Sequence, residues 1–300
     1  MALKQIKNKI VATKKTGQVT KAMESVSAVK MRKSQERAFL GRPYVHAAMR
    51  ILGRMSRARY GMEHALTTVR TEGKVLLVII TSDKGLAGSV NSAVLKQAEK
   101  LFKIEEAVEV VAVGRKAFEF ATREKKTIIG SYTNISDGVT ITDVYDMAAT
   151  IIAAFEVGTY KKVLVVYQNF ISTFEQTPVQ RQVLPVVPEE ITDLLLGIKP
   201  KTGKFSTDAV SLDSVAPYKV EPSPQEVLNS LLPQLVQVML YHALLESKAS
   251  EHSARMVAMK NATDKAKEMV KALTIKFNKQ RQAAITAEVS EITAGVEAMK

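Results

Sequence analysis

The chain has 300 residues, of which 46% are hydrophobic, so it is long enough to bury a substantial core. It contains no cysteine and no tryptophan, which excludes disulfide scaffolds, thiolate zinc sites and a cysteine nucleophile. No aliphatic run approaches the roughly 20 residues that cross a bilayer. The charged start has no apolar core of the kind that a signal peptide needs. We therefore expect a soluble, intracellular protein.

The net charge of +13 is concentrated at one end of the chain. Residues 1–60 hold 15 basic and only 2 acidic residues, which accounts for the whole imbalance. A basic arm of this kind indicates an acidic partner, which could be nucleic acid, an acidic membrane surface or an acidic protein cavity.

The first segment, from residue 3 to about residue 58, has the apolar spacing of one long helix. Apolar or small residues recur with steps of three or four, and lysines and arginines fill the remaining positions. Gly17 interrupts this pattern, so we expect reduced stiffness there. The predicted stripe consists of Leu3, Ile6, Ile10, Thr13, Val19, Met23, Val26 and Val29.

The last segment mirrors the first. Ser223 is suited to cap a helix that begins at Pro224, and only Pro233 and Gly295 interrupt the segment before its end. An unbroken helix of this length would be on the order of 115 Å long. Because such a rod must bury its stripe against something elongated, we expect it to pair antiparallel with the first helix as a coiled coil. Its predicted seam consists of Ala262, Ala266, Met269, Leu273, Ile285, Val289, Ile292, Val296 and Met299.

The middle of the chain has a different pattern, in which apolar β-branched runs of strand length alternate with helix-like segments. Continuous apolar strands between helices predict a mainly parallel sheet that is covered on both faces. The predicted strands are 74–81, 107–113 and 161–167, with edge strands at 179–187 and 218–220, and the predicted helices are 88–102, 115–124 and 140–156.

These patterns predict three parts. Coiled-coil helices occupy residues 1–60 and 222–300, and an α/β domain occupies 74–220. Within that domain, the segment 198–216 is rich in Gly, Lys, Ser and Thr, which is typical of a flexible linker.

The loop Thr81–Asn91 (TSDKGLAGSVN) contains glycines, a lysine and a serine, as phosphate-binding loops do. In a Walker loop the lysine follows the second glycine directly, whereas here Lys84 precedes Gly85. The dinucleotide fingerprint is also incomplete, and no acid ends the second strand. We therefore expect Ser82 or Asp83 to stabilise a tight strand-to-helix turn. We expect no catalytic, cofactor or metal site there or among the four scattered histidines.

Two other functions remain open on the residues alone. The basic arm would suit a coiled-coil protein that binds nucleic acid through phosphate contacts. The α/β domain would suit a nucleotide-binding enzyme. Neither function explains the pattern at both termini.

Several segments resemble the gamma subunit of F-type ATP synthases. TGQVTKAMESVSAVKMRKSQ (16–35) is similar to the N-terminal helix of that family, and SDKGLAGSVN (82–91) to its strand-to-helix loop. SEHSARMVAMKNATDKA (250–266) and NKQRQAAITAEVSEITAGVEA (278–298) are similar to its C-terminal helix. The segments occur in the expected order, and the likeness spans nearly the whole chain.

The resemblance implies an antiparallel coiled coil of the terminal helices with a Rossmann-like α/β domain of mainly parallel sheet at its foot. It implies a non-catalytic rotor shaft inside a hexameric ring of alpha and beta subunits. The foot would sit with the epsilon subunit on the c-subunit ring, which proton or sodium flow turns. The resemblance implies no cofactor and no nucleic acid, and only peripheral membrane contact at the cytoplasmic face of a bacterial plasma membrane. The basic residues Lys7, Lys9, Lys30, Arg32 and Lys33 would suit an acidic cavity wall.

The matching motif positions imply two contact sites, although each residue also has a plainer interpretation. Met23 fits a seam position equally well, and Glu251 and Arg255 fit an exposed i,i+4 ion pair. His252 is expected to be a surface or partner contact. The residues that match beta-subunit contacts are Arg281, Gln282, Thr286, Glu251, Arg255 and Met23, and those that match positions near the c-ring and epsilon are Tyr218 and Glu221.

Overall fold

The computed structural model describes residues 3–57, 64–186 and 221–299. They form two compact units, Met1–Ser27 with Met256–Lys300 and Ala28–Arg255, and the two long helices contribute to both. The helices are α1 (Leu3–Arg57), α2 (Val90–Ile104), α3 (Arg115–Arg123), α4 (Tyr145–Glu156) and α5 (Pro224–Ala298), with a short 3-10 helix at Ile141–Val144. The strands are β1 (Lys74–Ile80), β2 (Val108–Val113), β3 (Ile128–Tyr132), β4 (Tyr160–Phe170) and β5 (Gln176–Leu184).

The sheet has the order β3-β2-β1-β4-β5, and every neighbouring pair is parallel except β4 with β5. The prediction of a mixed α/β fold with a mainly parallel sheet and a long C-terminal helix is therefore confirmed. The sequence interpretation missed β3, because its IIGSY sequence has only two aliphatic residues and its side chains are only partly buried. The predicted edge strand 218–220 and the predicted flexible segment 198–216 lie outside the described residues.

Both faces of the sheet are covered, which explains the continuous apolar strands. Alternate residues of β1 point to opposite faces. Leu77 lies in the core beneath α2 and α3, and Leu76 lies in the core beneath α4 and α5. Both side chains are fully buried, as are Ile151 from α4 and Leu232 from α5. Burying a side chain of this size contributes about 1.5–3 kcal/mol.

The start of α5 has the predicted cap. The hydroxyl of Ser223 accepts a hydrogen bond from the backbone N–H of Glu226 at 3.2 Å and lies 3.1 Å from its carboxylate. Within the described ranges, α5 is the one helix with an 18-residue stretch apolar enough to cross a membrane, with a mean hydropathy of 1.2. Of that stretch, 56% is buried inside the protein, as in the core helix of a globular domain.

The buried stripe of α1 follows the predicted positions from Leu3 to Thr13, where Ile6 is fully buried, and departs from them after Gly17. Val19, Val26 and Val29 are 52–59% exposed, so their assignment to the stripe is wrong. Thr20 and Ser27 are 9% and 3% exposed and occupy the buried positions instead. The heptad spacing is present, but it is carried by small polar residues.

Within the unit of Met1–Ser27 and Met256–Lys300, α1 and α5 approach closely at these small residues. The hydroxyls of Thr20 and Thr263 lie 2.7 Å apart in a buried hydrogen bond. A Cβ built on Gly17 would lie 3.3 Å from the Cβ of Ala266. Gly17 therefore permits a close approach of the helices instead of interrupting a stripe.

The last part of α5 has no partner within the described chain. Every residue from Ile285 to Met299 is exposed. The prediction that Ile285, Val289, Ile292, Val296 and Met299 bury a seam is therefore wrong for the chain alone, since these side chains are 51–90% exposed.

Candidate functional site on the two long helices

The loop after β1 is closed by hydrogen bonds from its own side chains. The side-chain amide of Asn91 accepts from the backbone N–H of Ser82 at 3.0 Å and donates to its hydroxyl at 2.7 Å. The Ser82 hydroxyl in turn donates to the carbonyl of Lys84 at 2.7 Å. Asp83 accepts from the backbone N–H of Arg115 at 3.0 Å, at the start of α3. Ser82 and Asp83 thus stabilise the turn, as predicted.

A buried ion pair on α5 supports the same loop. Arg255 Nη2 lies 2.7 Å from Glu251 Oε1 and 3.2 Å from the carbonyl oxygen of Gly85. The two charged residues are only 5% and 7% exposed, so the interpretation as an exposed pair is wrong. Such a pair is screened weakly by solvent, and removing one partner leaves a buried charge. Arg255 therefore fixes the position of the loop's glycine segment.

Asp137 lies at the centre of a second polar cluster. Its carboxylate accepts a hydrogen bond from Lys30 Nζ of α1 at 2.6 Å. Its other oxygen lies 3.2 Å from His252 Nε2 and 3.8 Å from Lys248 Nζ, both on α5. Burial raises the pKa of Asp137, but the Lys30 hydrogen bond and the charges of His252 and Lys248 outweigh burial and lower it. The aspartate is therefore held ionised between two helices.

His252 is buried, contrary to the prediction of a surface contact. It is 2% exposed, and its Nδ1 lies 3.4 Å from Arg255 Nη1. Burial lowers the pKa of His252, and the charges of Arg255 and Lys248 act in the same direction, whereas Glu251 and Asp137 oppose them. The imidazole is therefore harder to protonate in the fold than in water.

Sequence reasoning did not identify Asp137 as a site residue. Lys30 lies 107 positions away in the chain and His252 more than a hundred, so no local spacing signals the cluster. Lys30 itself was assigned to an acidic partner surface, but its ammonium group is engaged by Asp137 within the chain.

The helix pair carries a basic groove of about 830 Å³ at the level of Gly17. Small and aliphatic side chains form its floor, and lysines from both helices form its rim. The lysines are Lys14, Lys21, Lys267 and Lys271. Lys21 and Lys267 pair with Glu24 and Asp264 at 3.0 and 3.3 Å. The positive charge of the rim therefore rests mainly on Lys14 and Lys271, which suits an acidic surface.

The three residues near the end of α5 that were predicted as contacts are accessible. Arg281, Gln282 and Thr286 are all exposed, and the Thr286 hydroxyl donates to the Gln282 carbonyl at 2.9 Å. Met23 is half-buried on α1. The structure therefore groups the first three on one exposed stretch, whereas Glu251 and Arg255 lie in the α/β unit.

Of the two residues predicted for the foot, the structure describes one. Glu221 is exposed just before α5, whereas Tyr218 lies outside the described residues. Among residues 3–57, 64–186 and 221–299, no group of His, Asp and Glu side chains is arranged to hold a metal ion.

Comparison with known proteins gives full-length matches. The family model described as ATP synthase matches residues 2–299. The ATP synthase gamma chain of Heliobacterium modesticaldum is 39% identical over 298 residues, which cover 99% of each chain. The gamma chain of Roseiflexus castenholzii is 39% identical over 302 residues, covering 99% of this chain and 98% of the relative.

Solved structures agree with these matches. A chain from the central stalk and c-ring structure of Tetrahymena thermophila mitochondrial ATP synthase is 26% identical with a TM-score of 0.59, covering 81% of this chain and 99% of that chain. A chain from the OSCP/F1/c-ring structure of Euglena gracilis mitochondrial ATP synthase has a TM-score of 0.65, covering 99% of this chain and 94% of that chain. At 18% identity, the second likeness concerns the fold alone.

Proposed function

The chain belongs to the family of ATP synthase gamma chains, and from that premise we propose that it is the rotor shaft that couples rotation of a c-subunit ring to ATP synthesis. It is a non-catalytic subunit of the complex. The observation that carries the proposal is the likeness to gamma chains over 99% of the chain.

We propose that α1 and the stretch of α5 that contains Thr263 and Ala266 form an antiparallel coiled coil. The contacts of Gly17 with Ala266 and of Thr20 with Thr263 support this arrangement, because the residue numbers rise on one helix as they fall on the other. The small side chains at these contacts allow the backbones to approach closely, which gives a slender rod.

The rod would act by presenting different faces to three otherwise equivalent catalytic sites. Each beta subunit would then be held in a different conformation, and turning the rod would interconvert these states through differential contacts. The lysine rim around Gly17 suits an acidic cavity wall, where several screened charge contacts guide rotation without one deep energy minimum.

The proposed beta-subunit contacts are of two kinds. Arg281, Gln282 and Thr286 are exposed and can touch a partner directly, and the half-buried Met23 can do so with part of its side chain. Glu251 and Arg255 are buried, so they would act by holding the loop at Gly85 in position. We assign Tyr218 and Glu221 to a separate contact, with the c-ring and epsilon.

The exposed apolar residues from Ile285 to Met299 support placement of this end inside a protein cavity. Five large apolar side chains repeat along a stretch that residues 3–57, 64–186 and 221–299 leave uncovered. An alpha–beta ring would cover them, and the c-ring and epsilon would occupy the other end of the shaft. The complex is membrane-associated, and we place this chain on its cytoplasmic face in a bacterium.

Co-expression with candidate alpha and beta subunits tests the proposal. We expect a stable complex with one copy of this chain in each hexameric ring.

Replacing Ile292 and Val296 by Asn should leave the isolated chain as stable as before, because both are exposed, but should weaken assembly. A matched control replaces Val19 and Val26, which are similarly exposed, by Asn. A chain that binds nucleic acid in a salt-dependent manner and recovers no ring would contradict the proposal.

A further inference from the structure

The segment 133–140, between β3 and the 3-10 helix, contacts both long helices within the unit Ala28–Arg255. On the α1 side, Arg37 Nη1 donates to the carbonyl of Val139 at 3.2 Å. On the α5 side, the hydroxyl of Tyr241 lies 3.4 Å from the same carbonyl, and Lys248 Nζ donates to the carbonyl of Ile135 at 3.2 Å. One short segment therefore joins two helices that are far apart in sequence.

Asp137 provides the charged part of this junction. Its carboxylate faces Lys30 from α1 at 2.6 Å, and His252 and Lys248 from α5 at 3.2 and 3.8 Å. The side chains of His252 and Lys248 are only 3% and 8% exposed, so solvent screens these contacts weakly. The hydrogen bond from Lys30 is directional and charge-assisted, whereas Lys248 acts on the carboxylate through its charge at 3.8 Å. A directional bond resists sliding of a helix more strongly than apolar contacts, which are non-directional.

We propose that Asp137 is a positioning residue of the rotor, which ties α1 and α5 to the α/β domain so that the domain and both helices turn together. This inference rests on the proposed rotor function. The carboxylate need not touch another subunit, because it acts on Lys30, Lys248 and His252 inside the chain. It adds a residue that lies outside both predicted contact sites.

The test uses membrane vesicles that hold the complete ATP synthase with this chain, and compares ATP-driven proton pumping with ATP hydrolysis. We expect Asp137→Asn to lower pumping per ATP hydrolysed by about two-fold or more while hydrolysis continues. Asp137→Glu, which keeps the charge, should restore part of the loss. The matched control is Glu105→Gln, because Glu105 also joins two lysines, Lys162 at 2.6 Å and Lys161 at 3.0 Å, but both lie on β4.

Lys30→Gln should lower the ratio less than Asp137→Asn, because Asp137 also faces Lys248 and His252 on α5. The double variant should match Asp137→Asn alone, because Lys30 acts through Asp137. An unchanged ratio in Asp137→Asn, or an equal loss in Glu105→Gln, would overturn the inference. If Asp137→Asn does not assemble, the test uses Lys30→Gln instead. An unchanged ratio of pumping to hydrolysis in Lys30→Gln would then overturn the inference. Failure of the rotor proposal is distinct, because the unaltered chain would then not support pumping at all.

Discussion

The sheet core and the helix seam bury opposite kinds of residue. In the sheet core, aliphatic side chains such as Leu77 and Ile79 are fully buried, and the sequence there is continuously apolar. In the seam of α1 with α5, the closely packed residues are Gly17, Thr20 and Thr263, and nearby valines are exposed. The sheet core is held by side-chain volume throughout, whereas the seam combines a few large side chains such as Ile6 with close approach of the two backbones at Gly17.

The largest effect should come from the sheet core. Leu77→Ala removes a fully buried side chain and leaves a cavity, so the free energy of unfolding should fall by about 2–5 kcal/mol. Urea unfolding followed by circular dichroism measures the change. An effect below that of the Gly17 variants would show that the sheet is not the more tightly packed region.

A smaller effect is expected at the seam. Gly17→Leu places a large side chain where even a Cβ would lie 3.3 Å from Ala266, so it should destabilise the helix pair by about 1–3 kcal/mol. Gly17→Ala should cost less, because it adds one methyl and favours the helical backbone. Amide hydrogen exchange should speed up for residues 10–24 and 259–273 and not in β1. Unchanged exchange in Gly17→Leu would contradict a tightly packed seam.

The buried His252 in the α/β unit should make the free energy of unfolding depend on pH. Because burial lowers the pKa of His252 below its usual 6.5, the unfolded chain takes up a proton at a pH where the folded chain does not. This contribution to stability is complete above pH 6.5 and is lost as the pH falls through 6.5 toward the folded pKa.

His252→Gln should remove that part of the acid destabilisation. The free energy of unfolding is measured against pH for the original chain and the variant. The two curves should be parallel above pH 7 and converge or cross on acidification. Parallel curves throughout would mean that His252 titrates alike in both states.

The smallest effect is expected from the valines that were wrongly assigned to the seam. Val26→Ser changes a side chain that is 52% exposed, so stability should stay within about 0.5 kcal/mol of the original value. A loss comparable to that of Gly17→Leu would place Val26 in the seam after all.

The α/β fold could be predicted from the sequence because β1, β2 and β4 are apolar runs of a length that only buried strands explain. The long helices could also be predicted, from spacing and from the cap at Ser223. The seam face could not, because hydrophobicity points to Val19 and Val26, whereas close packing selects Thr20 and Gly17. The weakly apolar β3 was missed for a related reason: its own residues give little strand signal, and it forms a strand through its pairing with β2.

The candidate contact residues came from resemblance, and their burial could not be predicted from it. Glu251 and Arg255 have the spacing of an exposed pair, but both are buried, and Arg255 contacts the loop at Gly85, which is about 170 positions away in the chain. Asp137 has no signal in its own neighbourhood. Charge clusters that join distant segments depend on the fold and cannot be identified from local patterns.

The exposed end of α5, from Ile285 to Met299, has a consequence for how the sequence can change over time. Since the described residues leave this stretch exposed, the chain's own folding places little constraint on which amino acids occupy it. We expect selection there to act through a partner subunit. Its substitutions should therefore track changes in that partner, whereas substitutions at Gly17 should track those at Ala266.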